Sequence, residues 1–414
     1  MSAHPSLQAD LTHEQSNQAV RKTALVSAFV GLAILGDSAL YAVLPTQIDI
    51  LGLNAGIVGL ALSLNRVVRL LTNQLANRLV IRYTVANAFL WALIATIGTT
   101  AVWAFRVPAL FLLAGRALWG LCWSVLRLGG YLTALEGQKS QQGRLFGLFR
   151  SGFRTGSLVA AISAGLLTDW LGFRQAFAII AGASALAIPL YFLLQPLKSV
   201  HTNPMPVEAH VSEDNEPVSQ AIRRLAQRIN IGALLHSLIL SLFTTTMGYY
   251  LTQKMATDAA LVGVATLNGL LFAWLWISNI AIGPACGVVA DKIGVQKTSR
   301  LLLITECIAL CAIALASSLW LLLPAILILL AAGPGLEVVL DTQAGSVASA
   351  SGRRSTTLAT YTNWIDAGSA LGPLVGFPLG NLLGLPFIYV LGAVLLLLWG
   401  FAQQPLRLNP QMEP

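Results

Sequence analysis

Twelve apolar runs, each bounded by charged or turn residues, constrain this chain more than any other feature of its sequence. They fall at 23–45, 53–72, 84–104, 108–133, 145–168, 174–195, 230–252, 260–288, 299–318, 320–347, 357–380 and 384–404. A helix needs about 20 such residues to cross roughly 30 Å of hydrocarbon. It is also the structure that closes its own backbone hydrogen bonds where no water is available. Of the 414 residues, 56% are hydrophobic and 10% are charged. An ordinary soluble domain is about 25% charged. That shortfall excludes a soluble enzyme, a coiled coil, a disulfide scaffold and a disordered chain.

The formal net charge of +8 comes from Lys and Arg spread along loop edges, not gathered on one basic face, so nucleic acid is not an expected partner. Cytoplasmic loops of membrane proteins carry the excess of Lys and Arg. With both termini inside, Arg21, Lys22, Arg78, Arg82, Lys139, Arg144, Lys198, Arg223, Arg224, Arg228, Lys292, Lys297, Arg300, Arg353, Arg354 and Arg407 fall on the cytoplasmic side. Only Arg106, Arg174 and Lys254 fall outside. The expectation is a multi-pass plasma-membrane protein, in a bacterium the inner membrane. Residues 1–22 hold no cleavable apolar segment and read as a cytoplasmic tail.

Residues 198–228 are the one long polar insert: a Pro-rich, acidic stretch, then a short amphipathic helix (VSQAIRRLAQRIN) suited to the inner leaflet. Sliding the two halves by 212–214 residues brings Gly156-Ser157 onto Gly368-Ser369, Gly172 onto Gly384, Asn65 onto Asn279, and Leu75-Ala76-Asn77-Arg78 onto Val289-Ala290-Asp291-Lys292. The expected fold class is therefore all-α integral membrane, with twelve transmembrane helices in two pseudo-symmetric six-helix bundles. The bundles span 23–197 and 229–405, joined by the linker 198–228, with a cytoplasmic tail at 406–414. Such a parallel duplication suits an alternating-access carrier.

At this point the sequence resembles the major facilitator superfamily. Gly287-Val-Val-Ala-Asp291-Lys292-Ile-Gly294-Val-Gln-Lys297 is similar to that family's loop signature G-x-x-x-D-R/K-x-G-x-x-K/R. The equivalent first-half loop keeps Leu75-Ala76-x-Arg78 but has Asn77 in place of the acid, and Asn73 and Val80 in place of the glycines. Asp291 can accept N–H bonds at a helix N-terminus and bias a gate between two packings; Asn77 can only hydrogen-bond. Arg116-Ala-Leu-Trp-Gly120 is similar to the family's R-x-x-x-G element, which implies proton coupling. Gly368-Ser-Ala-Leu-Gly372-Pro373 resembles the G-x-x-x-G-P element of its exporters, though in helix eleven rather than helix five. As packing motifs, Gly120, Gly368, Gly372 and Pro373 permit close helix approach.

Charges inside hydrocarbon are costly and mark a cavity or a partner. The first half holds Arg66, Arg116, Arg127, Arg150 and Arg154, with Asp37 as its clear carboxylate; the second holds Glu306, Glu337, Asp341 and Asp366, with no evident buried cation. At 1.5 Å per residue, Asp37 lies roughly 22 Å from the inner edge, Arg116 about 12 Å from the outer side, and Asp366 about 15 Å deep. The shallower residues suit a cytoplasmic gate: Arg66, Asn77, Arg78, Arg127, Arg150, Arg154, Asp291, Lys292, Gly294, Glu337 and Asp341. The deeper Asp37, Arg116 and Asp366, with Tyr41, Trp119 and Trp364, suit a cleft for proton coupling and substrate. Glu306 reads as a structural partner. His236 fits a satisfied polar residue as well as a proton relay.

Cys122, Cys286, Cys307 and Cys311 lie in apolar runs without a completing His or Cys pair, so they read as packing residues and no metal site is expected. No nucleotide loop or nucleophile–base arrangement stands in the chain, and neither a cofactor nor enzymatic activity is expected. The function expected is secondary active transport by alternating access, as proton-coupled export of a small organic molecule. An anionic metabolite or siderophore-like chelator is suggested by the arginines. The partners are that substrate and the lipid bilayer, and the carrier is expected to be a monomer. A proton-coupled importer, or a non-transporting scaffold on the same fold, are the alternatives.

Overall fold

The computed structural model describes residues 5–83, 85–135, 141–194, 216–255, 262–351 and 354–402, and every regular element among them is helical. In the first half these are α1 (Pro5–Ala33), α2 (Leu35–Val43), α3 (Ile48–Leu51), α4 (Ala55–Tyr83), α5 (Val85–Ala101), α6 (Ala109–Leu135), α7 (Gln142–Leu171), α8 (Phe173–Ser184) and α9 (Ala187–Leu194). The second half has α10 (Glu216–Met255), α11 (Val264–Ile277), α12 (Gly283–Ile293), α13 (Val295–Leu315), α14 (Leu319–Ala350), α15 (Arg354–Leu383) and α16 (Leu385–Ala402). A π-helical turn, Ser278–Ile282, joins α11 to α12.

The protein is an all-α membrane protein whose helices follow the expected order. Among the described residues nine helices are long and apolar enough to cross a membrane. The first crossing makes a tenth as a pair bent by 43° at the break between α1 and α2. The 30-residue helices α7 and α15 occupy the expected fifth and eleventh crossings but are too polar to pass on composition alone. Two boundaries differ from expectation. The polar stretch before Thr23 is helical from Pro5 onward. The short amphipathic helix expected before residue 230 is continuous with the seventh crossing in the 40-residue α10. No proline stands between Val218 and Met255 to stop it. The first part of the linker, 198–215, lies outside the described residues.

The helices pack as two compact units. One takes Met1–Val207 with Thr245–Trp276, the other Glu208–Thr244 with Ile277–Pro414. In the first, α4 runs along α6, α1 and α2 along α7, and α5 along α6 and α8. Phe29 stacks on Phe89 at 5.4 Å within a cluster that also buries Val26, Leu93, Leu126 and Phe149. In the second unit, α13 packs on α14 and α16, and α12 on α14.

The internal repeat is visible in what its residues do. Gly156 lets α7 touch the α1 backbone at Gly31, and its counterpart Gly368 lets α15 touch α10 at Leu234. Each residue that follows accepts a serine hydroxyl, though through different atoms: Ser157 Oγ from Ser38 at 2.8 Å, and the Ser369 backbone carbonyl from Ser241 at 2.8 Å. Gly172 and Gly384 each stand in the left-handed half of backbone space, at φ +88° and +85°, where α7 turns into α8 and α15 into α16. Gly172, with ψ 158°, occupies a region essentially restricted to glycine. Gly172→Ala should therefore cost about 1–3 kcal/mol, read as a lowered thermal unfolding midpoint of the detergent-solubilised protein. Gly147→Ala, in open space on α7, should raise stability by roughly 0.5–1 kcal/mol. Equal midpoints for the two variants would contradict this account.

Candidate functional site

One helix break and one glycine assemble a polar cluster inside the first unit. Asp37 stands in the first turn of α2, just past the bend, so its carboxylate leaves the axis of α1 and faces α6. There the Arg116 guanidinium meets it, with Nη1 2.5 Å from Asp37 Oδ1. Arg116 Nε donates to the Ala61 carbonyl of α4 at 2.8 Å, so one side chain ties three helices. The Asn65 amide of α4 donates to the same Asp37 oxygen at 3.4 Å. The Tyr41 hydroxyl donates to the Leu62 carbonyl at 2.6 Å and lies 3.1 Å from Asn65 Oδ1.

Gly120 makes this approach possible: a Cβ there would lie 2.5 Å from the Asn65 carbonyl oxygen. The Tyr41 ring lies beneath two guanidiniums, Arg66 at 5.2 Å and Arg116 at 5.5 Å from its centroid. Trp119 is buried one turn from the pair and stacks with Trp123 at 6.3 Å. The Arg116 side chain is 4% exposed and that of Asp37 14%. The charge of one is thus offset almost entirely by the other, while Asp37 keeps a narrow route outward. The cavity beside them, lined by Thr99, Thr100, Gly115 and Trp119, holds about 10 Å³ and admits nothing larger than a water molecule.

Comparison with known proteins fits this architecture. The family model of the Major Facilitator Superfamily matches residues 26–255, more than half of the chain. The chain belongs to the major facilitator superfamily. It is 24% identical over 314 residues to multidrug resistance protein MdtG of Serratia proteamaculans, covering 72% of each chain. It is 24% identical to MdtG of Escherichia fergusonii, covering 68% of this chain and 67% of that one. The match to MdtG of Salmonella dublin spans about half of each chain at 23% identity. Among solved structures, the nucleoside transporter NupG superposes with a TM-score of 0.72 at 13% identity, over 93% of this chain and 98% of that one. A point mutant of the peptide transporter POT superposes with a TM-score of 0.76 at 12% identity, over 93% of both. These similarities show the fold. The protein is a multi-pass membrane transporter of the superfamily.

The structure joins Asp37, Arg116, Tyr41 and Trp119 in one cluster. Asp366 is buried on α15 and Trp364 is exposed, both in the other unit. Of the gate residues, Arg78, Arg150, Asp291, Lys292 and Gly294 are exposed, and Arg66, Arg127, Arg154, Glu337 and Asp341 are half-buried. The side chain of Asn77 lies outside the described residues. Arg154 stands over the Trp276 ring at 5.6 Å, and the Tyr361 hydroxyl donates to Asp341 Oδ1 at 2.8 Å. The second half does contain a buried group able to carry positive charge. His236 of α10 meets Glu306 of α13 at 3.3 Å.

Sequence reasoning missed the bridging role of Asn65, noticed only as a repeat position. It also missed Asp169, whose Oδ2 accepts the Thr266 N–H of α11 at 2.7 Å, and Asn268, whose amide donates to the Ala42 carbonyl. Each of these contacts joins residues distant along the chain, with no local pattern to announce it.

Removing one partner of a buried ion pair costs about 3–5 kcal/mol, because the other charge is left uncompensated. Arg116→Gln should therefore destabilise the solubilised protein by several kcal/mol, and Asp37→Asn added to it should restore most of the loss. A double-mutant cycle of unfolding midpoints tests this; simple additivity of the two losses would contradict it.

Proposed function

We propose that this carrier is a proton-coupled exporter of small amphipathic organic molecules, with Asp37 as its proton site. The observation that carries the proposal is the Asp37–Arg116 pair, tying α2, α4 and α6 inside a membrane-embedded bundle. With Asp37 ionised the pair is neutral and the three helices are held together. Protonation of Asp37 leaves the guanidinium uncompensated in a low-dielectric interior, a cost that a second packing can relieve. A proton arriving at one carboxylate thereby shifts the balance between two arrangements of the helices. Arg66 of α4 and Arg116 of α6, both over the Tyr41 ring of α2, stand at the same three-helix junction.

Export rests on the Gly368-x-x-x-Gly372-Pro373 element and on similarity to proteins named for multidrug resistance. The cytoplasmic placement of both termini rests on the Lys and Arg distribution, and the gate assigned to the shallow charges at that side is part of the same proposal. The acidic cargo suggested by the arginines receives less support from the contacts. Arg116 is engaged by Asp37, while Arg66 and Arg154 stand over aromatic rings. With these arginines engaged, similarity to proteins named for multidrug resistance favours an amphipathic cargo over a carboxylate.

Everted vesicles from cells expressing the protein, energised to an acid interior, test this reading. Ethidium should accumulate inside, collapse of the pH gradient should release it, and Asp37→Asn should abolish accumulation while the protein remains in the membrane. Accumulation of fluorescein in place of ethidium would restore the anionic cargo. Uptake by intact cells instead of everted vesicles would establish import. Failure of a range of organic cations and anions alike to move would favour the scaffold.

A further inference from the structure

The second half of the chain buries a titratable pair that the Asp37–Arg116 mechanism does not use. His236 stands midway along α10 and Glu306 midway along α13. Their side chains are each 3% exposed, and Nδ1 of the imidazole lies 3.3 Å from Oε2 of the carboxyl. Both belong to the same compact unit.

As a packing device the pair is poor. A buried ion pair contributes to stability where its remaining donors and acceptors are also satisfied, and apolar residues of equal volume commonly serve better. Here Nε2 of His236 and Oε1 of Glu306 are both buried with no hydrogen-bond partner among the described residues. Buried polar groups are nearly always paired, so an exception calls for a reason beyond packing. The surroundings are themselves titratable. The carboxylates of Glu337 and Asp341 on α14 act electrostatically on the imidazole. Cys307 follows Glu306 on α13, with Cys311 one turn further on. From α15, Tyr361 donates to Asp341, and Asp366 is buried. On α16 the titratable group is Tyr389.

We propose that His236 and Glu306 form a second proton-binding site, separate from Asp37–Arg116, that exchanges one proton with water. With one proton the pair is neutral overall, as imidazolium beside carboxylate or imidazole beside carboxylic acid. Taking a second proton from water gives imidazolium beside carboxylic acid. Giving up the first to water leaves imidazole beside carboxylate. Each change creates one net charge in the membrane interior, so each is tied to a rearrangement that hydrates or pairs it.

The five histidines permit a test that leaves the membrane interior untouched. Replacing His4, His13, His201 and His210 by Gln makes His236 the sole histidine. That full-length variant, labelled with nitrogen-15 histidine, is reconstituted in phosphatidylethanolamine–phosphatidylglycerol vesicles and followed by solid-state nuclear magnetic resonance from acid to alkaline buffer. The imidazole signals should change protonation state along a single titration. Glu306→Gln in the same background should move its midpoint by about one pH unit or more, whereas Asp37→Asn should leave it in place. An imidazole whose signals stay in one state throughout, or a titration identical with and without Glu306, overturns the proposal. The measurement needs no substrate, so its outcome is independent of whether export or the Asp37 reading holds.

Discussion

The guanidinium of Arg116 exists inside a low-dielectric bundle only because Asp37 neutralises it, and that requirement organises the first half of the structure. An uncompensated charge at this depth costs several kcal/mol, so the helices must bring the two side chains together. The bend between α1 and α2 turns Asp37 toward α6, and Gly120 lets α6 approach α4 closely enough for Arg116 to reach the Ala61 carbonyl. Tyr41 and Asn65 then complete the polar cluster from α2 and α4. Perturbing the ion pair therefore perturbs the relation among three helices.

The duplication that built the chain was kept for packing and abandoned for chemistry. Gly156 and Gly368, and Gly172 and Gly384, do matching work in the two halves. The repeat offset of 212–214 carries Asp37 onto Tyr249–Leu251 and Arg116 onto Ile328–Leu330, none of them charged. Asn65, which orients Asp37, falls on Asn279, and Asn279 lies in the π-helical turn before α12. The second half instead buries His236 against Glu306, at positions unrelated to the first pair. Close helix approach tolerates little change, because a single Cβ at Gly156 or Gly368 would overlap backbone. Charge placement has no such symmetry to preserve.

Much of the fold was legible because membrane helices obey local rules. Apolar length marks the crossings, Lys and Arg mark the edges, and small residues at helical spacing mark the contacts. Apolar length does not mark where a helix ends, because polarity alone does not stop a helix from extending past its apolar run, as α1 and α10 both do. At the candidate site, Asp37 and Arg116 were recognisable one at a time, since each is an ionisable residue deep in an apolar run. Their pairing was not, because 79 residues separate them and no periodicity links α2 to α6. The sequence marks Glu306 as a structural partner and His236 as a satisfied polar residue or a proton relay, but the 70 residues between them conceal that each meets the other.

Sequence alone determined that the chain lives in a membrane, that its helices repeat in two halves, and which few residues carry charge into the interior. Those are consequences of composition and spacing, which act along the chain. Which charge answers which is a tertiary decision. It follows from where helices bend and how closely glycine lets them meet, and Coulomb attraction at a few ångströms selects partners that sequence distance conceals.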